Sequence, residues 1–194
     1  ITDKIVRFSD IKDQFVLEIG PGPGCLTRSL IKAGAKKIIA VEKDSKCVDI
    51  INYQKKIFLN KVMLIEGDFL KDYVFKKILK EVSKHKKKTI IVSNLPYKTS
   101  IPILAKILKN RVFFKKLILM FQKEQAERIL AKKNKKINCI EVLTFVDNGL
   151  SIEWISKSNC KVQNLLTKGS LNHLKHQLKK TPKDHFNDIS KVLS

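Results

Sequence analysis

Apolar residues along this chain come in short unbroken runs separated by longer amphipathic stretches. The runs are 15–19 (FVLEI), 38–41 (IIAV), 62–66 (VMLIE), 89–93 (TIIVS) and 116–121 (KLILMF). None alternates strictly between polar and apolar, as a strand with one wet face would. Each therefore predicts a strand covered on both faces. Residues 25–33, 45–59, 71–87, 100–110 and 122–133 instead repeat their apolar positions at helical spacing. Gly34 is a stop for the first of these helices. Ser45 is placed to cap the second, and Pro102 falls in the first turn of the fourth, where its missing N–H costs nothing. On 71–87, Tyr73, Phe75, Ile78, Leu79 and Val82 make the expected apolar side. Strands alternating with helices predict an α/β fold, a doubly wound, mostly parallel sheet between two helical layers. Past residue 134 the pattern weakens. Residues 139–147 and 150–155 either extend the sheet or begin a helix–strand pair.

In such sheets ligands bind beyond the carboxyl ends of the strands, so the loops there are the places to look for chemistry. The first strand runs into Glu18-Ile19-Gly20-Pro21-Gly22-Pro23-Gly24. Alternating glycines let backbone turn sharply and approach a ligand closely. The spacing G-x-G-x-G is shorter than the dinucleotide fingerprint. Glu18 would repel a pyrophosphate but could hold a cationic ligand or a water network. The second strand ends in Val41-Glu42-Lys43-Asp44, and Glu42 sits where related sheets place a carboxylate for ribose hydroxyls. Asp44 better suits a helix cap. The third ends in Glu66-Gly67-Asp68-Phe69, an acid and an aromatic suited to an adenine amino group and ring, or simply a turn. The fourth ends in Ser93-Asn94-Leu95-Pro96-Tyr97, the most specific of the motifs. The Asn94 side-chain oxygen and the Leu95 carbonyl could accept from an exocyclic amine. Pro96 has no N–H to donate and stiffens the turn. Tyr97 offers a stacking face for a splayed base.

Composition narrows the partner. The chain has 194 residues, 40 Lys+Arg against 18 Asp+Glu, and a net charge of +22. That is the electrostatic footprint of a nucleic-acid binder. Yet only Arg7, Arg28, Arg111 and Arg128 are arginines, and abundant Lys, Ile and Asn also follow from AT-rich codons, so charge alone decides nothing. A 43% hydrophobic content excludes general disorder. No stretch reads as a membrane span, and residues 1–8 lack the layout of a secretory signal. Cys25, Cys47, Cys139 and Cys160 are widely spaced, which argues against a zinc site or a disulfide framework and for a reducing cytosol. Cys25 reads as packing at a helix start, and Trp154 as core or a domain seam. His173 and His176 stand three apart without a third ligand, so no metal site is expected. His85 lies within the lysine run 84–88, a solvated helix end or an RNA contact. Neither Ser nor His has the context of a hydrolase nucleophile.

Together the loops resemble those of S-adenosylmethionine-dependent N6-adenine methyltransferases. More narrowly, the chain resembles the small-subunit rRNA adenine N6,N6-dimethyltransferase family. The carriers are EIGPGPG (18–24) with Leu26-Thr27, VEKD (41–44), GDF (67–69), NLPYKTS (94–100) and FQKEQAERI (121–129). The resemblance covers about residues 1–156. It implies a Rossmann-like methyltransferase domain over 1–156, with 157–194 as a remnant of a small helical C-terminal domain. The implied activity is dimethylation of two adjacent adenines in a hairpin near the 3′ end of small-subunit rRNA, during ribosome maturation. The implied cofactor is S-adenosyl-L-methionine, and the implied partner the immature small ribosomal subunit. A cytoplasmic monomer, without membrane attachment, is expected. By this resemblance Gly20, Gly22 and Gly24 face the methionine part of the cofactor, and Glu18 is counted with them as a cofactor-binding residue. Glu42, with Lys43 beside it, takes the ribose, and Asp68 with Phe69 the adenine. Asn94, Pro96 and Tyr97 form the target-base pocket, and Asn94 is also counted among the residues that bind the cofactor.

The chain also departs from the family pattern. It begins after the expected G-Q-N-F-L-type arm that closes over the cofactor. The expected Y-G-R-L-S-V-like segment reads Ile137-Asn138-Cys139-Ile140-Glu141-Val142. Residues 160–180 lack the expected prolines, while TPKDHFNDISKVLS again fits. A local reading-frame error or gene decay would explain a scrambled segment between matching ones. Weak cofactor binding and impaired methylation are the expectation. The alternatives are a non-catalytic RNA-binding or ribosome-assembly factor of the same fold, and a methyltransferase for another amine. The wording NLPY favours rRNA over DNA.

Overall fold

The computed structural model describes residues 2–121 except 8, 55, 59, 86 and 87, and the backbone of 139–146 and 149–156. Helix α1 is Thr2–Arg7 and strand β1 Phe15–Ile19. Then come α2 (Cys25–Lys32), β2 (Lys37–Glu42), α3 (Ser45–Tyr53), β3 (Val62–Glu66), α4 (Asp72–Ser83) and β4 (Thr89–Asn94). Helix α5 (Ser100–Lys109) leads through a short 3-10 turn to β5 (Phe114–Phe121), followed by β6 (Cys139–Val146) and β7 (Gly149–Ser156). One seven-stranded sheet has the order β3-β2-β1-β4-β5-β6-β7. Strands β1 to β5 are mutually parallel, and β6 and β7 add on in antiparallel fashion. The fold is thus the doubly wound, Rossmann-like one expected, and 139–146 and 149–156 extend the sheet.

Unbroken apolar runs form these strands because both faces are covered. Val16, Ile38, Ala40, Ile90, Val92 and Ile118 pack under Ile5 and Val6 of α1, Leu26 and Leu30 of α2, and Ile51 of α3. Their neighbours Leu17, Ile39, Val41, Ile91, Leu117 and Leu119 pack under Val74, Phe75, Ile78 and Val82 of α4 and Ile103, Leu104 and Ile107 of α5. A residue on either face of such a sheet must be apolar, which removes the period-two signal. The connections run outward from β1 to β3 and then back across to β4. The carboxyl ends of β1 and β4 therefore lie side by side where the winding reverses, the position at which open sheets of this kind bind ligands.

Several local expectations change. Asp44, not Ser45, caps α3: its carboxylate accepts from the Lys46 N–H at 2.9 Å, and Ser45 is the first helical residue. That helix ends at Tyr53 rather than residue 59. The chain turns after Gln54, and Phe58 folds back into the core at 1% exposure. Helix α4 ends at Ser83, and Tyr73 is 72% exposed, its expected place in the core taken by Val74. Cys25 is exposed at the start of α2 and does not pack there. The short helix α1 had no counterpart in the sequence reading. The helix expected over 122–133, the Trp154 side chain and everything from residue 157, with the proposed second domain, lie outside the described residues. Among those residues, no helix is long and apolar enough to cross a membrane.

Candidate cofactor and target-base site

Glu42 ends β2, and its carboxylate is the meeting point of the loops. Oε2 accepts from the Gly22 N–H at 3.0 Å, and Oε1 from the N–H groups of Lys43 at 2.8 Å and Asp44 at 3.0 Å. Its carbonyl accepts from the Gly67 N–H at 2.7 Å. One residue therefore fixes the loops after β1, β2 and β3. A carboxylate has about four acceptor positions. Three are filled, and one on Oε2 remains for a ribose hydroxyl. Lys43 contributes its backbone here, and its side chain is exposed.

The glycine loop is held on several sides. The Gly20 N–H donates to the Val41 carbonyl at 2.8 Å and the Gly24 N–H to that of Pro21 at 3.0 Å. Gly20 has φ 67, and a Cβ there would sit 3.5 Å from Cγ of Pro96. The loop expected to hold the cofactor thus lies directly against the turn expected to hold the target base. The Ser93 hydroxyl joins the same two strand ends by donating to the carbonyl of Ile19.

Glu18 lies beneath this loop rather than facing a ligand. It is 1% exposed, with Oε2 accepting from the Thr27 hydroxyl at 2.7 Å and Oε1 without a hydrogen-bond partner. Burial, with a smaller push from Glu42, raises its pKa from the ordinary 4.5 to about 8, against the lowering effect of Thr27. At neutral pH it holds a proton. The charge expected to repel pyrophosphate or attract a cation is therefore absent, because desolvation favours the neutral form.

After β3, Asp68 closes a tight turn. Its Oδ1 accepts from the Leu70 N–H at 2.9 Å, and its carbonyl from the Lys71 N–H at 3.0 Å. Oδ2 is left for a ligand donor. Gly67 before it has φ 142, and a Cβ there would lie 2.6 Å from Cγ2 of Val74, so glycine is required. Phe69 departs from expectation. It is 3% exposed and packs edge-on against Phe75, with centroids 5.2 Å apart. Its ring braces the turn from the core rather than offering a face to an adenine. Lys106 of α5 braces it from outside, donating to the Leu70 carbonyl and, at 2.7 Å, to Asp72 Oδ1. That ammonium holds the Asp72 carboxyl below its usual range.

After β4, Asn94, Pro96 and Tyr97 are exposed while Leu95 is buried at 2%. Leu95 is thus the anchor of the turn, and the polar and aromatic groups stand on its solvent side. The Tyr97 ring is 59% exposed. The turn passes directly into α5: the Thr99 N–H donates to the Pro96 carbonyl at 3.1 Å and the Ser100 hydroxyl to that of Tyr97 at 3.2 Å. The structure gathers every expected site residue at one end of the sheet, but turns Glu18 and Phe69 inward. It also adds Thr27, Ser93 and Lys106 as supports. The first two are hydroxyls in otherwise apolar segments, a signal present in the sequence. Lys106 is one lysine among many and gives none.

Comparison with known proteins identifies the family. The pattern describing the ribosomal RNA adenine dimethylase family matches residues 1–147. The chain belongs to that family. It is 42% identical over 137 residues to ribosomal RNA small subunit methyltransferase A of Clostridium acetobutylicum, covering 70% of this chain and 47% of that protein. The namesake from Rhodospirillum rubrum is 37% identical over 137 residues, covering 70% and 45%. The chain spans about half the length of these relatives. A dimethyladenosine transferase from Plasmodium falciparum matches with TM-score 0.55 and 36% identity, over 68% of this chain and 44% of that one. The 23S rRNA methyltransferase ErmE shares the fold, with TM-score 0.54 at 19% identity.

Two outcomes follow for this dimethylase-family chain. Calorimetry with S-adenosylmethionine should show Glu42→Ala and Asp68→Ala each weakening binding by about tenfold or more, the scale of one charge-assisted hydrogen bond. Affinities equal to that of the parent chain would remove both residues from the site. Glu18 gives a pH signature. The folded chain holds its proton up to about pH 8 and the unfolded chain only to about 4.5. Stability is then greatest below the lower value and falls as pH rises between the two. Urea titrations across that window should show this slope, and Glu18→Gln should flatten it.

Proposed function

We propose that this chain is the catalytic domain of an S-adenosylmethionine-dependent rRNA methyltransferase. It adds two methyl groups to N6 of each of two adjacent adenines, in a hairpin near the 3′ end of small-subunit rRNA. The observation that supports the reading is the closeness of the glycine loop to the turn after β4, where a Cβ added to Gly20 would lie 3.5 Å from Cγ of Pro96. Family membership and the relatives' names support rRNA as the substrate.

The residues present fit the cofactor. Glu42 has an open acceptor position for a ribose hydroxyl, and Asp68 Oδ2 for the adenine amine. Gly20, Gly22 and Gly24 leave their side of the crevice without side chains. When bound, S-adenosylmethionine supplies a methyl group on a positively charged sulfur, an electrophile already activated. The chain then needs no strong base, and its contribution is placement. At the first transfer the Asn94 side-chain oxygen and the Leu95 carbonyl accept the two N–H groups of the adenine amine, and at the second one of them accepts the N–H that remains, which turns the nitrogen lone pair toward the glycine loop; one proton leaves the nitrogen for solvent with each methyl gained. Pro96 puts no competing donor there. Tyr97 stacks on the base once it has left its helix, a contact worth roughly 1–3 kcal/mol. Protonated Glu18 keeps charge out of the floor of the loop.

Tritium transfer from labelled cofactor to immature small subunits tests the reading. The parent chain should label the 3′ hairpin. Asn94→Ala should lower the rate by about 100-fold, the cost of misplacing a reacting group, and by more than it weakens cofactor binding. Labelling unaffected by Asn94→Ala, or no labelling by a chain that binds the cofactor, would contradict it.

A further inference from the structure

The end of the sheet opposite the site is built differently. Phe15 opens β1, Lys37 opens β2 beside it, and Thr89 opens β4 on its other flank. The His85 ring, just beyond α4, stacks on Phe15 with centroids 3.5 Å apart at 17°, and the Lys36 ammonium lies 5.3 Å from the centre of the same ring. Lys36, Lys37 and Lys84 all act on His85, and with burial they hold its pKa below the ordinary value, opposed by Glu81 alone. Lys36, Lys84 and Lys88 are exposed. Glu81 is already paired with Lys84 at 2.7 Å. The cluster is thus a surplus of positive charge organised around a stacked ring pair, and His85 is not the plain solvated helix end that a lysine run suggests.

Lysines near helix ends have a stock structural reason, since they offset the helix dipole. That covers Lys84, which caps the C-terminus of α4. It does not cover Lys36, Lys37 and Lys88, which precede or open strands. Repulsion among Lys36, Lys37 and Lys84 is offset in part by Glu81, and a bound anion would relieve what remains. The amino ends also carry Lys12 and Lys61 against Asp10 and Asp13, whereas at the opposite end Glu42, Asp44, Glu66, Asp68 and Asp72 face Lys43, Lys46, Lys71 and Lys98, so positive charge is in excess at the amino ends and nearly balanced at the other. The separation is the length of β1, about 16 Å at about 3.3 Å per residue. A single hairpin helix is wide enough to pass from one end toward the other.

We propose that Lys36, Lys37, Lys84 and Lys88, around the Phe15–His85 stack, form a second contact surface for RNA backbone, separate from the pocket for the target base. This rests on the rRNA reading above, and deepens it by dividing substrate recognition between two ends of the sheet. The tyrosine and asparagine at the carboxyl ends read the base. The lysines at the amino ends take phosphates two or more nucleotides away, and carry affinity rather than sequence preference.

The test compares two double variants of equal charge in binding a transcript of the small-subunit 3′-terminal hairpin over a salt series. Lys36→Gln with Lys84→Gln should reduce the slope of log affinity against log salt by about 1.4 to 1.8, at about 0.7 to 0.9 per lost phosphate contact. Lys76→Gln with Lys77→Gln, on the outer face of α4, should leave the slope unchanged. Cofactor affinity should match the parent in both, and both should unfold in a single cooperative transition. In the unsubstituted protein, the His85 imidazole signals, assigned with His85→Gln, should titrate at higher pH when the hairpin is bound. Equal loss in both double variants would mean bulk charge and overturn the proposal, as would no loss in either or an unmoved His85. Each of those outcomes leaves the methyltransferase reading standing. A parent chain that binds cofactor but no RNA would overturn both. Binding of phosphatidylserine vesicles that RNA does not displace would assign the surface to a membrane instead.

Discussion

Glu42 is the residue on which the arrangement of the ligand end depends. Strand β2 delivers it to the rim of the sheet, and its side chain and carbonyl then bind backbone N–H groups from three successive loops. Loops with so many glycines lose much backbone entropy on ordering. Hydrogen bonds to a single charged group, each stronger than a neutral one, offset that loss without filling the crevice with side chains. The fourth loop is joined separately, by the Ser93 hydroxyl on Ile19 and by Pro96 against Gly20. The site is therefore set before any ligand arrives, with both halves resting on the adjoining ends of β1 and β4.

The burial of Glu18 follows from the same geometry. A loop that turns back over the end of β1 encloses whichever side chain precedes it. The chain places a carboxyl there, gives it one hydroxyl partner in Thr27, and leaves it protonated. The neutral form keeps the floor of the loop free of negative charge. A carboxyl held neutral by its environment is common where a site must hold both polar and positively charged ligand groups.

Much of this was legible in the sequence because the signals were topological. Unbroken apolar runs separated by helices gave the parallel sheet, and the sheet rule then located all four loops. The five parallel strands fall within two residues of their expected bounds at either end. Orientation was less legible. Glu18 and Phe69 carry the right chemistry for a ligand but face the core, and nothing in local spacing distinguishes the two faces of a turn. Tyr73 and Val74 exchanged places for a similar reason: both fit a helical apolar stripe, and the neighbouring layer decides which is covered. Asp44 and Ser45 both suit a cap by type, and Asp44 takes the role because its backbone is still extended while Ser45 is already helical. The pairing of Phe15 with His85 joins residues seventy apart and could not be read from either neighbourhood.

A crystal structure with S-adenosylhomocysteine bound tests the central claim most directly. The account predicts a ribose hydroxyl on Glu42 Oε2, the adenine amine on Asp68 Oδ2, and the methionine chain along Gly20 to Gly24. Its sulfur should face Asn94 and Pro96, and the Glu18 carboxyl should remain beneath the loop. A ribose held by other groups, or a sulfur turned away from the Asn94–Tyr97 turn, would contradict it.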